Sequence, residues 1–227
     1  MKLFVIGDVH GHFDQMKEAL DAAGFYDCEG QLFVDCGDNF DRGKQNREVF
    51  SYLSGLKHAF FLRGNHEDYL EDLLQGAEPQ ERDRLNGTLA TAQEFADLSL
   101  QDEVLAFLKR HRDYFETKRY LFVHGWLPVD FSDSRPEIAT NWRTLGRDEW
   151  RIARETEWQQ AYAYGLTLPD KTVVCGHRPA TLASQFDASR YSDDYYPFFG
   201  KGVIALDPFV TRSKKVFVVT LEDELFS

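Results

Sequence analysis

Five short apolar runs in this chain each break off into glycine with aspartate, asparagine or histidine, and this recurrence restricts the fold more than any other feature. Phe4-Val5-Ile6 leads into Gly7-Asp8-Val9-His10-Gly11, and Phe33-Val34-Asp35-Cys36 into Gly37-Asp38-Asn39-Phe40-Asp41-Arg42-Gly43. Phe60-Phe61-Leu62-Arg63 leads into Gly64-Asn65-His66-Glu67, Leu121-Phe122-Val123 into His124-Gly125, and Val173-Val174-Cys175 into Gly176-His177. Apolar runs rich in β-branched and aromatic residues, bounded by small polar ones, predict strands over 3–6, 32–36, 59–62, 120–123, 172–175, 202–206 and 216–221. Between the first three, apolar residues recur at spacings of three and four, as at Met16, Ala19, Leu20 and Ala23. That predicts helices over 13–23 and 45–56, and the alternation implies βαβ units with a largely parallel sheet.

Further helices are predicted over 67–75, 91–98, 102–112 and 148–164, placed as a cap or side layer. Residues 127–136 read as a loop with proline and aspartate, and 186–200 as a long loop of little periodicity. The basic run Lys109 to Arg119 is interrupted by Asp113 and Glu116 and reads as a solvated helix end. With 227 residues, the expectation is one domain over 1–227. Nineteen Phe, ten Tyr and four Trp supply bulky apolar surface for its core. Trp126, Trp142, Trp150 and Trp158 read as packing residues, with Trp126 the one placed beside a polar loop.

The balance of 38 acidic against 26 basic residues, a net of −12, argues against binding nucleic acid through its phosphates. Cys28, Cys36 and Cys175 are odd in number and contain no C-x-x-C pair, so free thiols are expected, without a disulfide framework or thiolate zinc site. No apolar stretch approaches the ~20 residues needed to cross a bilayer. The start of the chain also meets Asp8 and His10 where a signal peptide would stay apolar. A soluble, cytoplasmic protein with no membrane partner is the expectation.

In an open α/β sheet, residues just beyond the carboxyl ends of several strands converge on one crevice. Here that gathers Asp8, His10, Asp38, Asn65, His66, His124 and His177, a set of oxygen and imidazole donors without thiolate. Such donors suit Mn²⁺, Fe or Zn²⁺. Their number exceeds what one such ion takes from protein while keeping open positions, so a pair of ions is expected.

The five motifs, in this order, resemble the calcineurin-like metallophosphoesterases. The DRG of 41–43 and GNHE of 64–67 resemble the branch with phosphoprotein phosphatases and symmetrical diadenosine tetraphosphatases, and 203–207 with 215–222 resemble the closing strands of small bacterial and phage members. The resemblance implies an α/β layered fold, with central mixed β-sheets flanked by helices and a helical side layer. It implies that Asp8, His10 and Asp38 hold a first divalent ion, most readily Mn with Fe or Zn as alternatives. Asp38, Asn65, His124 and His177 would hold a second, with Asp38 bridging. A hydroxide bridging the ions would attack phosphorus, His66 would act as general acid oriented by Asp41, and Arg42 would clamp the phosphate. The family's second phosphate-binding arginine falls between the last two histidine ligands, where Arg135, Arg143, Arg147, Arg151 and Arg154 leave it unassigned.

Elsewhere, His12 is read as a surface helix-start residue, His58 and His111 as helix-end residues, and Arg63 as a packing or pairing residue. Cys36 and Cys175 are expected to be buried within strands. The first functional expectation is hydrolysis of phosphomonoesters, with phosphoserine or phosphothreonine in proteins as the substrate class. A rival expectation is symmetrical cleavage of a dinucleoside polyphosphate such as diadenosine tetraphosphate, with the aromatic loop 191–199 as an adenine slot. A non-catalytic binding scaffold should have lost ligands or the acid, and none is lost. A Rossmann dinucleotide binder is opposed by the lack of G-x-G-x-x-G after the first strand.

Overall fold

The computed structural model describes residues 1–131 and 135–225. Its first elements alternate as the spacing predicts: β1 (Lys2–Ile6), α1 (Phe13–Ala23), β2 (Gln31–Asp35), α2 (Asn46–Gly55) and β3 (Ala59–Phe61). Four helices follow, α3 (Asn65–Leu74), α4 (Glu81–Asn86), α5 (Thr88–Glu94) and α6 (Leu98–Leu108). The second half contains β4 (Tyr114–Glu116), β5 (Tyr120–Val123), β6 (Val129–Asp130), β7 (Glu137–Ile138), α7 (Arg147–Arg154), α8 (Trp158–Ala163) and β8 (Thr172–Cys175). It closes with β9 (Phe198–Gly200), β10 (Val203–Ala205), α9 (Val210–Ser213) and β11 (Val218–Glu222).

Two mixed sheets form the centre, in the orders β11-β1-β2-β3 and β4-β5-β8-β10-β9. β1, β2 and β3 run parallel in the first, as do β5, β8 and β10 in the second, and the outer strands β11, β4 and β9 are antiparallel. The two-residue side-chain period of a strand explains how the sheets stack. Leu3, Val5, Val34, Phe122, Val174 and Ile204 share one buried cluster between the sheets. Their neighbours Phe4, Ile6, Phe33 and Phe61 turn outward to the cluster holding Met16, Val49, Leu70 and Phe107 from α1, α2, α3 and α6. Leu121, Val123, Val173 and Cys175 face the opposite way, toward Trp150 of α7 and Trp158 of α8. The central strands are therefore covered on both faces, which is why they read as continuous apolar runs without polar alternation. Each fully buried Leu, Val or Phe contributes roughly 1.5–3 kcal/mol.

Several expectations change. The side layer is divided, with α1–α3 and α6 covering one sheet and α7–α8 the other. The helix expected over 148–164 is broken, because the Ala153 carbonyl accepts from Trp126 N (3.0 Å) and Thr156 N (3.1 Å), and Glu157 turns to extended backbone before α8. The run from Lys109 to Arg119 is a helix end only in its first residues. It then becomes β4, with Tyr114 paired to Val123 and Glu116 to Leu121. Helix α4 was not anticipated, and 91–98 divides between α5 and the start of α6. The loop expected over 127–136 carries β6, which pairs with β7, and 132–134 lie outside the described residues. The loop expected over 186–200 ends in β9. Among the described residues, no helix is long and apolar enough to cross a membrane.

Candidate metal centre and its cleft

Parallel strands in both sheets point their carboxyl ends at one edge of the molecule, and short backbone bonds tie those ends together. Cys36 N donates to Ile6 O (3.1 Å), Gly176 N to His124 O (2.8 Å) and Leu206 N to Cys175 O (2.8 Å). The loops beyond are tightly wound. His10, Asp38, Asp41, Arg42, His177 and Phe209 all have positive φ, between 47° and 74°, and Lys214 is the one other non-glycine residue of this kind among the described residues. Left-handed backbone at six non-glycine positions around one crevice is costly and is typical of functional sites. Two glycines make the approach possible, since a Cβ on Gly64 would collide with Asp38 and one on Gly176 with the Asp8 carboxylate.

The side chains converge. Asp38 Oδ2 lies 3.8 Å from His10 Nε2 and 3.9 Å from His66 Nε2, while its Oδ1 lies 3.4 Å from His124 Nε2. Asp8 Oδ2 lies 3.9 Å from His10 Nε2, and Asn65 Oδ1 3.0 Å from His124 Nε2. Two groups have donor atoms within 4.8 Å of one another, His10 with Asp38 and His66, and Asp38 with His124 and His177. Asp38 is common to both. The imidazoles are aimed by their rear nitrogens: His10 Nδ1 donates to Phe40 O (2.9 Å) and His124 Nδ1 to Cys36 O (2.7 Å), which turns each Nε2 toward the crevice.

The donor set fits a divalent cation on three counts. Asp8 Oδ2 and His177 Nε2 are buried with no hydrogen-bond partner in the protein. Asp8, Asp35, Asp38, Asp41, Glu67 and Asp207 are all buried here, and Arg42 is the permanent cation that reaches among them. The resulting field is visible in the titration of the groups. Burial and then Asp207 push Asp8 well above the carboxylate range, and burial with Glu67 lifts Asp35 to about 8. Burial lowers the affinity of His124 for a proton, but Asp38, Asp8 and Glu67 overcome it and hold that imidazole at about 10. His177 is pushed down to about 3 by burial and the neighbouring His124. Protons thus stand in for missing positive charge.

Residues 1–210 match the calcineurin-like phosphoesterase family. The chain belongs to that family. A symmetrical bis(5'-nucleosyl)-tetraphosphatase of Nitrosococcus oceani is 32% identical over 171 residues, covering 73% of this chain and 56% of the relative. An asymmetrical bis(5'-nucleosyl)-tetraphosphatase of Oceanobacillus iheyensis is 31% identical, covering 79% of this chain and 78% of the relative. Across the first relatives, the match spans about half of their length. The chain is similar in fold to the solved cold-active protein-tyrosine phosphatase of a psychrophilic Shewanella species. Its TM-score is 0.57 at 19% identity, covering 97% of this chain and 75% of that one.

His66 and Arg42 sit at the mouth of this site. His66 Nδ1 donates to Asp41 Oδ2 (2.6 Å), and Thr88 Oγ1 donates to the same oxygen (2.5 Å). Burial opposes charge on His66, yet Asp38 and Asp41 outweigh it and raise its pKa above the usual imidazole value. Arg42 donates from Nη1 to His10 Nε2 (2.9 Å) and from Nη2 to His66 Nε2 (3.0 Å). A guanidinium has only donors, so both Nε2 atoms act as acceptors in this arrangement.

Beyond them opens a cleft of about 530 Å³, lined by Asp38, Arg42, Asn65 and His66 together with Tyr69, Asn86, Glu155, Arg178, Phe209 and Thr211. Three buried carboxylates near the site had no role assigned from the sequence: Glu67, Asp35 and Asp207. Glu67 holds the metal-site loops, accepting from Asp38 N, Asn39 N and Gly64 N, each at 2.8 Å. Asp35 accepts from Asn39 Nδ2 (2.6 Å) and Gly37 N (3.0 Å). Asp207, lifted to about 6 by burial, follows β10 as Asp38 follows β2. An Asp directly after an apolar run was the signal available for it.

Other expectations place residues elsewhere. Arg143, Arg147, Arg151 and Arg154 bind Glu116, Glu71, Asp72 and Asp68, and neither they nor exposed Arg135 line the cleft. The loop 191–199 is absent from the cleft wall, where Tyr69 and Phe209 supply the aromatic surface instead. Trp126 is fully buried in the core of the second sheet. His111 lies just past the end of α6, as expected, and is buried there, edge-on to Phe107 at 4.8 Å. His58 is half-buried and paired with Asp27 at 2.9 Å, and half-buried His12 faces the His10 carbonyl at 2.6 Å. Arg63 pairs with Asp68 and Glu71, and Cys36 and Cys175 are buried free thiols while Cys28 is exposed.

Proposed function

We propose that this chain, a metal-dependent phosphoester hydrolase by family, cleaves dinucleoside polyphosphates of the diadenosine tetraphosphate type with two divalent cations held about Asp38. The observation that carries the chemistry is the position of Asp38, whose two oxygens each face a separate group of imidazole donors. In this reading Asp8 and His10 complete one site, and Asn65, His124 and His177 the other. Such a pair of ions, of which Mn²⁺ suits the oxygen and imidazole donors, polarises the phosphoryl group and lowers the pKa of water toward neutrality.

The remaining steps belong to the chain. For His10 to ligate, Arg42 must release its Nε2, and the freed guanidinium then meets the substrate phosphate as a forked donor. The same movement clears His66 Nε2. Held by Asp41 and with its pKa raised, His66 carries the proton that the leaving phosphate oxygen requires. Asp41 keeps the imidazole in the correct tautomer, and Thr88 keeps Asp41 in place.

The polyphosphate class is favoured over phosphoprotein because both curated relatives described above are tetraphosphatases. Hydrolysis of a phosphomonoester remains the second reading, since one donor cluster with Arg42 at its mouth is sufficient for a single phosphoryl group. The test is a metal-stripped preparation titrated with Mn²⁺ and assayed on an aryl phosphate, a phosphoseryl peptide and diadenosine tetraphosphate. Turnover that requires the metal and runs faster on the dinucleotide than on the peptide is expected. Efficient peptide hydrolysis with no cleavage of the dinucleotide contradicts the substrate assignment.

A further inference from the structure

The cleft wall holds two guanidinium groups, and the reaction so far uses one. Arg178 directly follows His177 and lines the cleft together with three carboxylates, Asp38, Glu155 and Asp207. We propose that Arg178 is the specificity-determining residue that lets this site hold a chain of phosphates instead of one, by binding a phosphate beyond the one that reacts. This rests on the phosphoesterase reading above and assigns the part of the site that selects among its substrates.

Three features support the role. The backbone of Arg178 is fixed on both sides: its N donates to Gly176 O (2.8 Å), and its O accepts from Nε1 of buried Trp158 (2.9 Å). With His177 in the left-handed region at φ 67°, the turn projects residue 178 from a rigid base. The side chain is 44% exposed and rests on Glu157, Nη2 to Oε1 at 2.6 Å. An ion pair this open to water is weak and exchanges readily for a better anion.

Glu157 does not depend on Arg178. Its other oxygen accepts from Gln159 Nε2 (2.8 Å) and Gln160 Nε2 (2.6 Å), so Arg178 can depart while Glu157 stays hydrogen-bonded. A polyphosphate brings several negative charges into a wall that already carries three carboxylates. Arg42 is committed to the reacting phosphate, and a second forked donor is required for the next one. The arginines between 135 and 154 do not line the cleft, which leaves Arg178 for this task.

The experiment uses the manganese-loaded enzyme with manganese in excess over every phosphate added. It compares wild type, Arg178→Ala, Arg178→Lys and Glu157→Gln. Two readouts are taken: kcat/KM on diadenosine tetraphosphate and on an aryl phosphate, and calorimetric Kd for tripolyphosphate and for orthophosphate. Charge-assisted hydrogen bonds set the expected loss for Arg178→Ala at about 10- to 100-fold on the dinucleotide, with a similar weakening of tripolyphosphate. The aryl phosphate and orthophosphate should stay within about two-fold, since neither reaches a second guanidinium. Arg178→Lys should fall between, keeping charge without the fork. Glu157→Gln should keep or improve tripolyphosphate binding by releasing the arginine.

Equal losses on both substrates, an unchanged tripolyphosphate Kd in Arg178→Ala, or a Glu157→Gln defect as large as that of Arg178→Ala each overturn the assignment. Wild type that binds tripolyphosphate through Arg178 but leaves diadenosine tetraphosphate intact overturns the substrate reading and keeps this one. Turnover of the dinucleotide that is indifferent to residue 178 does the reverse.

Discussion

Two clusters of charge meet at α3, each with a buried core, and they are built on opposite principles. Behind it, Asp68 takes Arg63 Nη1 at 3.2 Å and Arg154 Nη1 at 2.6 Å, Glu71 takes Arg63 at 2.7 Å and also Arg147, and Asp113 binds Arg154. Three arginines thus meet three carboxylates. In front, six buried carboxylates surround Arg42 and a group of imidazoles, and donor atoms of Asp8 and His177 are left without partners. The first cluster holds α3 against α7 and β4. The second is underbalanced in positive charge, and a cluster in that condition is a receptor for cations.

Substitutions should separate the two clusters. The largest effect is expected at Asp38→Asn. It replaces one of the two oxygens that face the donor groups with an amide nitrogen and removes the shared negative charge, and several kcal/mol of charge stabilisation amounts to ~10³-fold or more in turnover. Elemental analysis should find both ions weakened; unchanged metal content would remove Asp38 as the bridge. Arg154→Met acts on the other cluster, where it takes one of two close guanidinium partners from buried Asp68, and breaking a buried pair costs up to ~3–5 kcal/mol of stability. Denaturant unfolding reads that loss, and bound metal per folded chain should stay at the wild-type value. A parallel loss of metal would mean that the clusters are coupled.

His66→Asn should retain both ions and lose ~10²-fold or more on substrates with poor leaving groups, in the range of a general acid. The loss should be smaller on an activated aryl phosphate, and equal losses would contradict its role as proton donor. The smallest effect is a pH dependence. Asp35, at about 8, and His124, at about 10, both stand above their ordinary values of 3.8 and 6.5. Between pH 6.5 and 9, the metal-free native state therefore holds more protons than the unfolded chain, and its stability falls as pH rises. Melting temperatures of the metal-free protein should decline across that window, while the manganese-loaded protein should hold its value better. Parallel curves would show that the surplus charge is not what the ions relieve.

The front cluster was far more legible in the sequence than the rear one. Asp8, His10, Asp38, Asn65, His66, His124 and His177 stand at strand ends in short glycine-flanked motifs, and parallel strands necessarily bring such ends together. Their gathering at one crevice could be read from spacing. The partners of Arg63 and Arg154 lie at separations that no local pattern marks, so the rear cluster could not be read. Strand β4 was hidden by the charges around Tyr114 and Phe115, which mimic a helix end until Val123 and Phe122 pair with them. The break between α7 and α8 was hidden for another reason: the Ala153 carbonyl is drawn on by Trp126, 27 residues away. Asp207 and Arg178 had no motif to announce them, and their importance arises only from the cleft that the fold builds around them.

The most direct measurement is the anomalous scattering of crystals grown with manganese. The shared position of Asp38 predicts two peaks at the carboxyl edge of the sheets with its carboxylate between them, one flanked by Asp8 and His10, the other by Asn65, His124 and His177. A single peak, or two peaks that do not share Asp38, contradicts it.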